Sequence, residues 1–229
     1  MRRHNNVNGE ICIVEMGNSP RIDITNDLKL LLNNNQIQFS EVGILDELSD
    51  MELCKVLRTD RDEKSIITKN KDNITCYIKK DEAEKLIKNL INELDPNKYD
   101  KIIIACDEEY TSIRERTDNI ILPIELIKEY LQINPLKIKN SIVFPTKSQA
   151  EFEKLEWEKL LSNPEFLVCN PFSIQNFSVT TELLMKSKPS RVILNCFGFT
   201  LEQKRKLEEE LNIPVILPRE LVTMHIKQY

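Results

Sequence analysis

Short apolar runs along the chain alternate with longer stretches in which apolar residues recur every three or four positions. The runs at 10–17, 101–106, 140–145 and 191–195 have the length and β-branched content of buried strands. The stretch "KDEAEKLIKNLINEL" (80–94) has the spacing of an amphipathic helix. Strands that alternate with helices in this way form mostly parallel sheets covered by helices on both faces. The pattern therefore predicts an α/β protein.

This alternation occurs in both halves of the chain. In the first half, the expected strands are 10–17, 36–45 and 101–106, the hairpin is 64–79, and the helices are 24–34, 49–58, 80–94 and 121–131. In the second half, the expected strands are 140–145, 166–170, 191–195 and 214–217, and the helices are 147–161, 176–186, 201–211 and 219–227. Two parallel-sheet lobes fit the 229 residues better than a single sheet does.

Composition and charge exclude several classes of protein. Thirty-two basic and thirty-seven acidic residues are interspersed along the chain, which argues against a nucleic-acid partner. No apolar run approaches the ~18 residues that would span a bilayer, so we expect a cytoplasmic protein with no membrane contact. His4 and His225 are the only histidines, and the six cysteines form no CxxC motif. We therefore expect neither a metal site nor a cofactor.

Three of the four glycines lie where predicted strands end, at Gly17, Gly43 and Gly198. Ligands of open α/β sheets bind beyond the carboxyl ends of the strands, where the chain turns sharply and approaches the ligand closely. The glycines therefore indicate a site at these ends. The alternative is that they are ordinary turn glycines.

Two cysteines, Cys106 and Cys196, come directly after strands in corresponding places of the two halves. Thr200 and Gln203 predict a capping box, which would direct the N-terminus of the following helix at the loop of Cys196. A thiol there should have a lowered pKa and should react first with a thiol reagent. The alternative is an inert buried cysteine, and this is the role expected for the remaining four, Cys12, Cys54, Cys76 and Cys169.

Two thiols that face a common ligand have a specific chemistry. One thiolate can remove an α-proton while the other thiol delivers a proton to the opposite face, which inverts a stereocentre without a metal or pyridoxal cofactor. Such a site must also hold the substrate carboxylate and stabilise the developing enolate charge. The polar candidates close to the two thiols are Asp107, Thr111, Ser112 and Thr200.

Several segments resemble the AroM family, which is itself similar to the aspartate/glutamate/hydantoin racemase superfamily. They include "MGNSPRIDI" (16–24), "FPTKSQAEFEKLEWEKL" (144–160), "VILNCFGFT" (192–200) and "LNIPVILPRELV" (211–222). The resemblance implies two Rossmann-like lobes related by a pseudo-twofold axis, with the active cleft between them.

The lobes expected from this resemblance have defined boundaries. Residues 1–123 and 212–229 form the N-terminal lobe, and residues 124–211 form the C-terminal lobe.

The resemblance also implies roles for residues around the first strand end. Ser19 could donate to a substrate carboxylate, Arg21 could bind it with two parallel hydrogen bonds, and Asp23 could orient Arg21 or receive a substrate amine. Gln149 occupies a family position near the cleft, and Asn195 stands where the family usually has Asp. The alternative is that Pro20 and Asp23 simply begin a helix and that Arg21 is solvated.

These observations predict a cofactor-independent racemase or isomerase that acts on a small carboxylate through Cys106 and Cys196. Two alternatives stay open. The first is a metabolite-binding or regulatory protein without turnover. The second is a single-thiol decarboxylase or cis–trans isomerase with Cys196 as the nucleophile. The sequence leaves the oligomeric state open, with a homodimer among the options because dimers are common in such folds.

Overall fold

Two four-stranded parallel sheets form the centre of the protein in a computed structural model that describes residues 9–34, 36–58, 64–95, 97–110, 113, 118–134 and 138–228. The first sheet contains β1 (Glu10–Glu15), β2 (Gln38–Gly43), β6 (Lys101–Ile104) and β7 (Ile120–Ile121). The second contains β8 (Asn140–Phe144), β9 (Glu165–Val168), β10 (Arg191–Leu194) and β11 (Val215–Ile216). A small antiparallel sheet is formed by β3 (Leu57–Arg58), β4 (Ser65–Lys69) and β5 (Thr75–Lys79).

Helices connect most of the strands. In chain order they are α1 (Ile22–Leu32), α2 (Asp50–Val56), α3 (Lys80–Glu93), α4 (Pro123–Ile133), α5 (Lys147–Leu160), α6 (Ile174–Ser187), α7 (Leu201–Leu211) and α8 (Pro218–Gln228). Among the helices described, none combines the length and the apolar character needed to cross a membrane.

The two parallel sheets have the same topology, as a pseudo-twofold relationship requires. The strand orders are β2-β1-β6-β7 and β9-β8-β10-β11, so the first strand of each half lies between its second and third. This confirms the predicted fold class of two Rossmann-like lobes. The sequence pattern missed β3 and β7 because each has only two residues and lies at one end of a segment predicted as a helix.

One hydrophobic cluster connects the two sheets. It contains Cys12 and Ile104 from the first sheet and Ile142 and Phe144 from the second, together with Trp157 of α5. These side chains are buried, and Phe144 and Trp157 pack edge to face with ring centroids 6.3 Å apart. Apolar packing therefore joins the lobes on one side of the cleft.

The end of the chain contacts both halves. Strand β11 pairs with β10 in the second sheet, and α8 packs against α1 and α4. The predicted lobe boundaries stay a prediction, but the strand pairing shows that residues 215–216 lie with the second sheet. Helix α8 then returns to the first half of the chain.

A fully buried arginine on α8 joins the two halves by hydrogen bonds. The Nε of Arg219 donates to the carbonyl oxygen of Phe197, in the loop after β10, at 2.9 Å. Its Nη1 donates to the carbonyl oxygen of Asp23 and to Asp27, and its Nη2 donates to the carboxylate of Asp23. Asp27 also accepts the backbone N–H of Leu201, the first residue of α7, at 2.7 Å. The cluster ties α1 to the loop that carries Cys196.

We predict that Arg219→Met lowers the free energy of unfolding by about 3–5 kcal/mol, because it leaves buried acceptors without their cation. Urea denaturation of both proteins measures this difference. Arg205→Met, at an exposed position of α7, is the control and should change stability by less than ~1 kcal/mol. Equal, small effects of both substitutions would show that Arg219 does not join the halves.

Candidate functional site

The carboxyl ends of β1, β6, β8 and β10 surround a small cavity of about 30 Å³, which we call the inner cavity. Of the predicted site residues, it is lined by Arg21, Cys106, Asp107, Gln149, Asn195, Cys196 and Gly198. A cavity of this volume holds one or two water molecules. The strand-end rule therefore located the cavity correctly.

A larger open groove of about 570 Å³, which we call the outer groove, adjoins the inner cavity. Ser19, Asp23 and Thr200 line the outer groove, whereas Arg21, Phe172 and Gly198 line both spaces. Thr111 and Ser112 lie outside the described residues. The other described substrate-binding candidates are divided between these two neighbouring spaces, whereas Gly17 lines neither of them.

Cys106 lies at the wall of the inner cavity and is buried. Its Sγ lies 3.5 Å from the hydroxyl of Tyr110. Burial and the charge of Glu108 raise the pKa of the Cys106 thiol well above its ordinary value. At neutral pH this group is a thiol and a proton donor.

Cys196 lines the same cavity from the other half of the chain. The backbone N–H of Gly198 donates to its Sγ at 3.4 Å, and Thr200 and Gln203 form the predicted capping box at the start of α7. The expected lowering of the Cys196 pKa is nevertheless wrong. Burial, followed by the charge of Asp107, raises the pKa to about 12, because together they outweigh the Gly198 amide and the more distant arginines.

The other four cysteines depart from expectation in one respect. All six cysteines are free thiols, and Cys12, Cys76 and Cys169 are buried as predicted. Cys54 is exposed, because none of the residues of α2 is buried. The structure therefore favours Cys54, and not Cys196, as the first thiol to react, because Cys54 is the more exposed and the pKa of Cys196 is raised.

Arg21 is oriented by Asp23 and not free in solvent. Its Nε and Nη2 donate to the two carboxylate oxygens of Asp23 at 2.8 and 2.9 Å, which leaves Nη1 outside the pair. Burial alone would raise the pKa of Asp23, but Arg21 and Arg219 outweigh it and lower the pKa to about 2. Asp23 is thus ionised and bonded to two arginines. Of its two predicted roles, the geometry matches the orientation of Arg21.

Ser19 has a different partner from the one expected. Its hydroxyl donates to Asp46 at 2.6 Å, and its backbone N–H donates to the same carboxylate at 2.9 Å. Asp46 also accepts the backbone N–H of Gly43. The hydroxyl therefore fixes the loop after β1, at the edge of the outer groove.

The strand-end glycines allow parts of the protein to approach one another. A Cβ on Gly17 would lie 2.0 Å from the carbonyl oxygen of Lys69, in the β4–β5 hairpin. A Cβ on Gly198 would lie 3.2 Å from the ring of Phe172. Gly17 therefore admits the hairpin, and Gly198 admits an aromatic ring, next to the cavity.

Phe172 lies between the two spaces, a position that sequence reasoning missed. The guanidinium of Arg21 lies 5.3 Å from its ring centroid, and the Nζ of Lys69 lies 4.8 Å from it. Both contacts are within the range of cation–π attraction. A ring from the second half of the chain thus packs between two cations from the first half.

Gln149 and Asn195 belong to a buried polar network beside the inner cavity. Gln149 donates to Glu108 at 2.6 Å, and Lys80 donates to the other oxygen of the same carboxylate. Asn195 donates to Glu153, and its own Oδ1 has no hydrogen-bond partner within the described chain. Both predicted residues therefore line the cavity, and buried Glu108 and half-buried Glu153 fix their orientation.

Glu15 is a site residue that sequence reasoning missed. It is the last residue of β1, it is 1% exposed, and it lines the inner cavity. Its Oε1 has no partner among the described residues, and burial raises its pKa to about 8 despite the opposing charge of Arg21. The available signal was a glutamate at the carboxyl end of an otherwise apolar strand, which is where such sites lie.

Solved structures with the same architecture include enzymes of related kinds. Allantoin racemase from Pseudomonas fluorescens has a TM-score of 0.57 at 11% identity, covering 96% of this chain and 89% of the racemase. Glutamate racemase from Francisella tularensis, in complex with D-glutamate, has a TM-score of 0.55 at 17% identity, covering 96% of this chain and 80% of the racemase. Maleate isomerase from Pseudomonas putida has a TM-score of 0.55 at 11% identity, covering 96% of this chain and 90% of the isomerase. At such identities these similarities establish the fold alone.

Sequence comparison identifies the family. Curated proteins give no significant match. The family described as AroM protein, however, matches residues 11–228, a range that extends from β1 to the end of α8 and contains both cysteine loops. The match confirms the resemblance inferred from the segments around Arg21 and Cys196, and the chain therefore belongs to the AroM family.

Proposed function

We propose that the protein is a cofactor-independent racemase or isomerase that acts on a small carboxylate through Cys106 and Cys196. The observation that carries this proposal is that both thiols, from equivalent strand ends of the two halves, line one inner cavity. A carboxylate substrate is larger than the one or two water molecules that this cavity holds, so the cavity must widen to admit it. A ligand between the two thiols would then have a sulfur on each side. That arrangement suits removal of a proton from one face and delivery to the other.

Arg21 is the group we assign to the substrate carboxylate. It lines both the inner cavity and the outer groove, and Asp23 and Phe172 hold its guanidinium in place. A pre-oriented guanidinium binds a planar carboxylate with little further loss of side-chain entropy. A carboxylate can therefore contact Arg21 from the outer groove and keep that contact in the cavity.

The proton chemistry follows from the state of the thiols. Both have raised pKa values, so each rests as a thiol and one must ionise before it can remove an α-proton. The N–H of Gly198 and the positive charges of Arg219 and Arg21 favour the thiolate of Cys196. Once the Cys196 thiol has lost its proton to solvent, its thiolate takes the α-proton and the thiol of Cys106 protonates the opposite face, which leaves the thiolate on Cys106.

A single-thiol reaction is the second candidate, since the two cysteines have different surroundings. Cys196 is partly exposed and has an amide donor on its sulfur, whereas Cys106 is buried beside Tyr110. A decarboxylase or cis–trans isomerase would need only Cys196.

We predict that limiting iodoacetamide at neutral pH alkylates Cys54 first, because Cys54 is exposed, and Cys196 only slowly. Because the pKa of Cys196 is raised to about 12, its thiolate fraction and its alkylation rate should increase about tenfold per pH unit below that value. Peptide mass spectrometry measures each site. Cys54→Ser removes the fast site as a control, and rapid, pH-independent labelling of Cys196 would contradict the raised pKa.

We predict that the protein exchanges the α-proton of a chiral carboxylate for deuterium in deuterated water. Proton NMR measures the loss of the α-proton signal. Aspartate and glutamate are the first candidates, with maleate for cis–trans isomerisation. Cys196→Ser should slow exchange by about 100-fold or more, because a hydroxyl is far less acidic than a thiol. Cys106→Ser should abolish inversion yet leave one-sided exchange of one enantiomer.

The matched control for this experiment is Cys54→Ser, which removes an exposed thiol remote from the inner cavity and should retain exchange. Unchanged exchange in Cys106→Ser, with loss in Cys196→Ser, would favour the single-thiol reaction. A ligand that binds equally well to wild type and both cysteine variants, without exchange or other conversion, would exclude turnover and leave a binding protein.

A further inference from the structure

Asp107 occupies an unusual position between two cavities. It lines the inner cavity with both thiols, and it also lines a second cavity of about 160 Å³ bordered by Glu108, Glu153 and Trp157. It is 5% exposed. Its carboxyl group is therefore enclosed between the two cavities.

Beyond a weak contact with the backbone amide of Phe197, neither carboxyl oxygen of Asp107 forms a hydrogen bond of normal geometry with the described residues. Arg219 is near enough to influence it, but the hydrogen bonds of Arg219 go to Phe197, Asp23 and Asp27. An ionised carboxylate that is buried without hydrogen bonds is strongly unfavourable. A neutral carboxylic acid avoids most of that cost.

The charges around Asp107 also favour the neutral acid. Glu108 is next to it in sequence. Burial and the charge of Glu108 raise the pKa of Asp107 well above its ordinary value, and they outweigh the Phe197 amide and Arg219, which lower it. In the inner cavity it is accompanied by Cys106, Cys196, Glu15 and Arg21. The ionisable groups that share the second cavity with it are Lys80, Glu108, Glu109, Lys128, Glu153 and Glu156.

We propose that Asp107 keeps its proton and donates a hydrogen bond from its carboxyl group to the substrate carboxylate in the inner cavity, where it acts together with Arg21. A protonated carboxyl has one O–H donor, and a donor to a charged acceptor forms a strong hydrogen bond. This inference rests on the proposed function for the identity of the ligand. It extends that function by assigning Asp107 as a catalytic residue that does not transfer a proton.

Such a donor has two consequences for the reaction. When the α-proton leaves, negative charge accumulates on the substrate carboxylate oxygens, and a fixed donor stabilises that charge more strongly than it stabilises the ground state. A neutral Asp107 also removes the negative charge that opposes ionisation of Cys196. Both effects favour formation of the enolate.

The protonation state can be tested without any reaction. Infrared spectra of wild type and Asp107→Asn at neutral pH should differ by one protonated-carboxyl C=O band, present only in wild type. Asp81→Asn, at an exposed position of α3, is the control and should leave that region of the spectrum unchanged. Wild-type and Asp107→Asn spectra without such a difference would mean that Asp107 is ionised, and the inference would be overturned.

Acetate is the probe for the donor role, with binding followed by NMR titration. Asp107→Asn, which keeps an N–H donor, should weaken acetate binding by about 3-fold, whereas Asp107→Leu should weaken it by about 10-fold or more. At alkaline pH wild type should lose affinity as Asp107 ionises, and Asp107→Asn should lose less. Circular dichroism checks that each variant is folded. If Asp107→Leu is unfolded, the infrared result and the pH dependence of acetate binding to Asp107→Asn still test the donor role.

Equal effects of the asparagine and leucine substitutions would overturn the donor role, as would absence of acetate binding to wild type. These failures are distinguishable from failure of the proposed function, which is judged by α-proton exchange in the wild type. A protein that exchanges protons with an ionised Asp107 would keep the function and lose this inference.

Discussion

The buried guanidinium of Arg219 is the interaction on which the geometry of the site depends. It bonds the carbonyl oxygen of Phe197, next to Cys196, and it bonds Asp23, which in turn orients Arg21. One side chain thus fixes both the loop that carries a candidate catalytic thiol and the cation assigned to the carboxylate. A buried charge of this kind is stable only while all its partners are in place, so it specifies one arrangement of the two halves.

Burial raises the pKa of several acidic groups that line the inner cavity. The pKa values of Cys106, Cys196, Glu15 and Asp107 are all raised, because each group loses hydration and faces other acids. With Asp107 protonated as proposed, the resting cavity holds neutral acids beside one cation, Arg21, among the described lining residues. A bound carboxylate would meet donors from several sides, and its negative charge would help to keep Asp107 protonated.

The sequence was informative wherever the signal is local. Apolar runs and helical spacing predicted both sheets. The strand-end rule predicted that Cys106 and Cys196 share a cavity. Each of these predictions depends on residues within one or two elements. Long-range pairs were not predictable. Nothing near Ser19 indicates Asp46, and the only sign for Arg219 was a cation in the first turn of a helix, where the dipole disfavours it. The wrong pKa direction for Cys196 has the same origin, because a helix N-terminus is visible in sequence and burial is not.

The most direct test of the two-thiol arrangement is a crystal structure of the protein with a carboxylate substrate or a non-reacting analogue bound. We predict that the ligand lies in the inner cavity, with the sulfurs of Cys106 and Cys196 in contact with opposite faces of its α-carbon and its carboxylate on Arg21. A ligand confined to the outer groove, or one with both sulfurs on the same face of the α-carbon, would contradict proton transfer between two thiols.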